Sequence, residues 1–159
     1  MDEPRWTRIQ QFARSWADAS SPLSRKVEEV WLEFDVCLTQ DTPNHTPSVF
    51  FSIGDQDPQE PAPRRTPFSE CLSAAEEGLQ ILGGRRTSSA TRSTLVECFH
   101  RLPSSARILF LGAMISRDTS TVRVVASGLS LDDILRYLQR LGVHDPVEHL
   151  PLISDISNL

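Results

Sequence analysis

Glu33 and Asp35 stand two residues apart, two and four places after Trp31. On a β-strand that spacing puts both carboxylates on one face, about 7 Å apart. Paired carboxylates at this separation can share general acid and general base work. The same acids beside an outward tryptophan could instead grip an arginine or lysine of a bound peptide. No third group in the sequence converges on the pair, so the carboxylates alone do not define a reaction.

The other chemistry-bearing clusters are weaker. His144, Glu148 and His149 form the densest group of metal-capable side chains, but the histidines are at i, i+5 and Pro146 interrupts any helix between them. A helical zinc site wants i, i+4 or His-x-x-Glu-His. Cys98 and His100 are two apart on an expected helix and point in different directions, whereas a thiolate–imidazole pair needs hydrogen-bond reach. Cys98 reads as a small core filler. Gly54-Asp55-Gln56-Asp57 lacks the terminal ligand and the flanking helices of a calcium loop. Gly83-Gly84-Arg85-Arg86 follows a helix instead of preceding one, so it is no P-loop. No catalytic residue, metal site or cofactor is expected.

Composition narrows the class. A chain of 159 residues with 39% hydrophobic and 23% charged residues fits one domain with a real core. The net charge of -5 argues against a general affinity for nucleic-acid backbones. Cys37, Cys71 and Cys98 are odd in number and widely spaced, which suits a reducing compartment better than a disulfide framework. Met1-Asp2-Glu3-Pro4 has no basic stretch leading to an apolar one, so a cytoplasmic protein without a secretory signal is expected. No apolar run approaches the length of a membrane span.

The elements that must position these residues follow from periodicity. Trp6, Ile9, Phe12, Ala13 and Trp16 recur at helical spacing, which predicts an N-terminal helix over 5–18, broken by Ser20-Ser21-Pro22. Strand one begins at Val30, with Val30, Leu32, Phe34, Val36 and Leu38 toward the core and Trp31, Glu33, Asp35 and Cys37 outward. In strand two, Val49, Phe51 and Ile53 face the core and Phe50 faces out beside Ser48 and Ser52. Residues 54–67 are proline-rich and read as a mobile loop.

Thr66 and Pro67 open a helix with Leu72, Ala75, Leu79 and Leu82 buried, ended by Gly83-Gly84. Another helix runs from about Ala90 to Leu102. Strand three, Ile108–Ile115, is apolar on both faces, the mark of a covered central strand. A turn at Arg117–Ser120 leads to strand four, with Val122, Val124 and Ala126 in and Arg123 out. Ser130 caps a last helix with Asp132 and Asp133 in its first turn, Leu131, Ile134, Leu135, Leu138 and Leu141 as its apolar stripe, and Gly142 as its stop. The apolar tail 143–159 is expected to pack on the body or on another subunit.

The expected fold is therefore a single α+β domain over 1–159. Its mainly antiparallel sheet has four strands in two β-β-α units, with helices packed on it. One helical layer covers one face only, so the second face of strand three needs the tail, the N-terminal helix or another copy of the chain. A homodimer is the expectation.

Three stretches carry a resemblance: Val30-Trp31-Leu32-Glu33-Phe34-Asp35 with Pro47-Ser48-Val49-Phe50-Phe51, then Arg123-Val124-Val125-Ala126-Ser127-Gly128-Leu129, then Tyr137-Leu138 with Leu141-Gly142. Together they resemble the bacterial accessory proteins that bind precursor peptides in crocagin-type ribosomal peptide natural-product (RiPP) biosynthesis. The resemblance implies a non-catalytic protein that binds a precursor peptide and presents it to the pathway's enzymes. It carries no catalytic residues over. Strand one or strand two, as a free sheet edge, could pair with an extended peptide. The expected recognition surface is Trp31, Glu33, Asp35 and Phe50. The alternatives are a small enzyme using Glu33 and Asp35, and a structural subunit of a larger complex.

Overall fold

The computed structural model describes residues 3–35, 46–53, 68–117 and 121–143. The expected loop over 54–67, nearly all of the tail, the His144–His149 cluster, the calcium-like loop, Cys37 and the Thr66-Pro67 cap lie outside the described residues.

Helices α1 (Glu3–Ala17) and α2 (Pro22–Lys26) lead into strands β1 (Val30–Glu33) and β2 (Ser48–Ser52). Helices α3 (Phe68–Gly83) and α4 (Ser89–His100) follow, then β3 (Arg107–Ala113), a 3-10 turn (Ile115–Arg117), β4 (Val122–Ser127) and α5 (Leu131–Arg140). The sheet order is β1-β2-β3-β4 and every neighbouring pair is antiparallel. The fold is the expected α+β class, with β2 and β3 linked through two helices. No helix among the described residues is long and apolar enough to cross a membrane.

The core lies between one face of the sheet and the helices. Val49, Phe51, Ile108, Leu111 and Ala113 face Phe12 of α1 and Ala74, Ala75, Leu79 and Leu82 of α3. The rings of Phe12 and Phe51 are 5.3 Å apart. Gly78 makes this approach possible, because a Cβ there would sit 2.6 Å from the Phe51 ring. Ser15 and Ser21 both donate hydrogen bonds to Glu77, which ties α1 and α2 to α3. Trp16 donates to the Val27 carbonyl at 2.7 Å.

Several expectations change. Ser21-Pro22 does break α1, but it also starts α2: Ser21 is the N-cap and Pro22 occupies the first turn, where a missing N–H costs nothing. Among the described residues β2 is an inner strand, and the edges of the sheet are β1 and β4. β1 ends at Glu33, and Leu32 and Phe34, expected in the core, are 47% and 50% exposed. Leu32 shares a face with its partner Val49, which is fully buried; the helical layer covers β2 and stops short of the outer part of β1. On α5 the capping box of Ser130 and Asp133 and the positive φ of Gly142 are as expected. Its buried residue, however, is Tyr137, whose hydroxyl donates to the Cys98 carbonyl at 2.8 Å, while Leu131 is exposed. The N-terminal helix packs on the core side, so it is not the cover for the second face of β3.

Candidate functional site

The face of the sheet away from the core carries its own small cluster. Phe50, Phe110 and Met114 are buried there, with Leu109 and Val125 packed against them. Each of the three contributes about 1.5–3 kcal/mol through removal from water. The register explains how they fit. Phe50 pairs across the ladder with Gly112, and a Cβ at that glycine would fall 2.4 Å from the Phe50 ring. The ring therefore lies flat over the backbone of β3, the close approach that a strand glycine permits. Phe110 pairs with the small Ser52, and Trp31 leans across that position so that its ring centroid is 4.4 Å from that of Phe110. Trp31 remains 58% exposed.

Charged side chains cross this floor. Arg123 on β4 has Gly112 as its ladder partner, and its guanidinium carbon sits 5.6 Å from the centre of the Phe50 ring. From there its Nη1 donates to Glu33 on β1 at 3.1 Å. Glu33 also accepts from Arg117 Nη2 at 3.2 Å. Arg117 forks onto Asp35, with Nη2 to Oδ1 at 2.7 Å and Nε to Oδ2 at 3.0 Å. The Ser116 hydroxyl donates to Asp35 Oδ2 at 2.6 Å, which leaves the buried Ser48 hydroxyl to donate to Ser116 at 2.6 Å. The Arg117 fork, then Ser116, holds the Asp35 carboxyl down to about 2, with the charges of Arg117 and Arg123 acting in the same direction. The Arg117 guanidinium is pushed up for the reciprocal reason.

This arrangement bears on the chemical readings of Glu33 and Asp35. A carboxyl held near 2 carries no proton to give at neutral pH, which argues against Asp35 as the acid of a catalytic pair. Both carboxylates are already engaged by arginines of the same chain, so they are not vacant receptors for a basic peptide side chain. The four expected recognition residues do come together on one face, in different roles: Trp31 is on the surface, Phe50 is buried floor, and Glu33 and Asp35 are held by Arg117 and Arg123. In the sequence Arg123 reads as an outward residue and Arg117 as a turn residue. Their opposite charge on the same face was the signal for pairing with Glu33. Ser116 and Gly112 left no such signal.

Elsewhere, Cys98 is buried and burial pushes its thiol up, away from nucleophilic use, while His100 is exposed. Among the described residues, no group of three or more His, Cys, Asp or Glu side chains could hold a metal ion.

The edge itself is the remaining feature. Ser52 N–H donates to the Glu29 carbonyl at 2.9 Å. Hydrogen-bonded pairs alternate along an antiparallel ladder, and Val30 pairs with Phe51 and Leu32 with Val49. The backbone N–H and C=O groups of Val30 and Leu32 therefore point away from β2, toward an edge that pairs with no other strand among the described residues. Trp31, Leu32 and Phe34 are three of the five exposed large hydrophobic residues among those described.

No protein-family model, no curated protein and no solved structure matches the chain.

Gly112→Ala is expected to lower stability by about 1–3 kcal/mol in urea unfolding, and Phe50→Leu in the same chain to recover part of the loss. A fully additive double variant would contradict the ring-on-glycine packing. The Asp35 contribution also has a defined pH window. Its folded value lies below the ordinary 3.8, so the stability it supplies is present above about 4 and is lost as pH falls through about 2. The stability gap between wild type and Asp35→Asn should therefore shrink across that window; a gap constant from pH 6 to pH 2 would rule the linkage out.

Proposed function

We propose that this protein is a non-catalytic peptide-binding adaptor that takes an extended peptide onto the free edge of β1. The observation that supports the reading is the concentration of exposed Trp31, Leu32 and Phe34 at a sheet edge whose outward backbone groups belong to Val30 and Leu32. Soluble proteins guard such edges with lysine, proline, bulges or inward charges. None of these guards the stretch from Val30 to Phe34: its one acid, Glu33, is neutralised by Arg117 and Arg123. An incoming strand would take backbone hydrogen bonds from Val30 and Leu32, which gives affinity, and would set alternate side chains against Trp31 on one face and Leu32 on the other, which gives selectivity. The rigid floor of Phe50 and Phe110 holds the Trp31 ring in place at little entropic cost on binding.

The resemblance to precursor-binding proteins of ribosomal peptide natural-product pathways names the class of peptide: a ribosomal precursor in the bacterial cytoplasm. A second reading rests on the same edge, because β1 of one copy can pair antiparallel with β1 of another and form a homodimer with one continuous sheet.

A pull-down with the tagged protein, read by mass spectrometry for peptides and proteins, tests the adaptor reading by recovery of a short precursor peptide. Leu32→Pro removes an N–H that points to the edge, a position where proline is tolerated in the fold. It is expected to abolish capture with little change in the urea midpoint, and Trp31→Ala to weaken capture roughly tenfold or more. Capture by both variants at wild-type affinity would overturn the site. Conversion of a wild-type dimer to a monomer by Leu32→Pro would support the β1–β1 reading.

A further inference from the structure

The chain is acidic overall, yet one cleft is lined by four arginines and, among the described residues, by no carboxylate. It measures about 620 Å³ and lies where α1, the α3–α4 connection and the ends of β3 and β4 meet. Arg5 and Arg8 enter from α1, and Arg85 and Arg86 from the connection. Ser88 and Thr91 of the first turn of α4 complete the polar rim. Leu79, Met114 and Ile115 supply an apolar wall. None of the lining residues belongs to β1 or β2.

The backbone holds the arginines in place. Gly84 has a φ of +65°, a conformation that turns the chain sharply after α3. A Cβ at Gly84 would fall 2.6 Å from Nε of Arg8, so the Arg8 guanidinium lies directly on the turn that presents Arg85 and Arg86. Among the described residues neither Arg85 nor Arg86 has a hydrogen-bond or ion-pair partner, and both are exposed. Two adjacent guanidiniums, Arg85 and Arg86, without a partner among the described residues raise the local potential and favour an anion there.

We propose that this cleft binds a small organic phosphate: a phosphate dianion or diphosphate carried on an apolar body. Arg85 and Arg86, with Arg8 beside them on the turn, offer more donors and more charge than one carboxylate can accept, whereas a phosphate presents several strong acceptor oxygens and matches the bidentate fork of arginine. The volume is that of a small-molecule site. The wall of Leu79, Met114 and Ile115 calls for an apolar group beside the anion. The positive end of the α4 dipole adds a weaker field of the same sign.

Calorimetric titration of the full chain with phenyl phosphate, pyrophosphate and benzoate tests this at low and at physiological salt. Saturable binding of both phosphate probes is expected, weakened by salt, with benzoate about tenfold weaker than phenyl phosphate. Arg85→Ala/Arg86→Ala, both exposed positions, should weaken phenyl phosphate about tenfold or more. Arg86→Gln keeps the bulk of the side chain and should act in the same direction. Trp31→Ala should leave the affinity unchanged, which separates this site from the β1 edge. Absence of saturable binding for both phosphates, or undiminished binding in folded arginine variants, would overturn the site. Benzoate binding as tightly as phenyl phosphate would overturn its assignment to phosphate.

Discussion

Gly112 has no side chain, and the ring of Phe50 occupies the space that one would fill. The second face of the sheet, away from the main core, is built on that contact. With the ring flat on the β3 backbone, Arg123 can reach from β4 over the ring to Glu33 on β1, which crosses the width of the sheet. Glu33 in turn shares Arg117 with Asp35, and Ser116 and Ser48 secure the far end. A bulky residue in place of Gly112 would lift Phe50 and break the path of Arg123 together.

Packing and charge play different parts here. The ion pairs are exposed and screened, and such pairs contribute little to stability. Burial of Phe50, Phe110 and Met114 is the larger effect. The charges fix geometry instead: they neutralise the acids of β1 and pin the residues after the strand to the 3-10 turn of β3. The result is an edge strand with a rigid inner side, a neutral surface and exposed apolar side chains on both faces.

Much of this was legible in the sequence, and the parts that were not share a cause. Ser130, Asp133 and Gly142 bracket α5 because capping is local chemistry. The stripe Leu72, Ala75, Leu79 and Leu82 is buried because helical periodicity reports one face directly. Period-2 alternation in β1 separates Trp31 and Glu33 from Val30 and Leu32 correctly, but it says nothing of how far a helical layer extends, and so it assigns Leu32 and Phe34 to the core. Strand order is equally non-local, which left β2 a candidate edge. The resting partners of Glu33 and Asp35 come from residues more than eighty positions away, and only the assembled sheet brings them together. α2 was hidden because Pro22 marks a helix start as readily as a stop.

Docking of a peptide depends on the edge of β1 being free. Amide hydrogen exchange at Val30, Trp31, Leu32 and Glu33 in the free protein tests that most directly, because it needs no ligand. A free edge requires an alternating pattern: fast exchange at Val30 and Leu32, whose N–H groups point outward, and slow exchange at Trp31 and Glu33, which bond to β2. Strong protection at all four amides would show the edge already covered and would contradict the proposed docking of a peptide there.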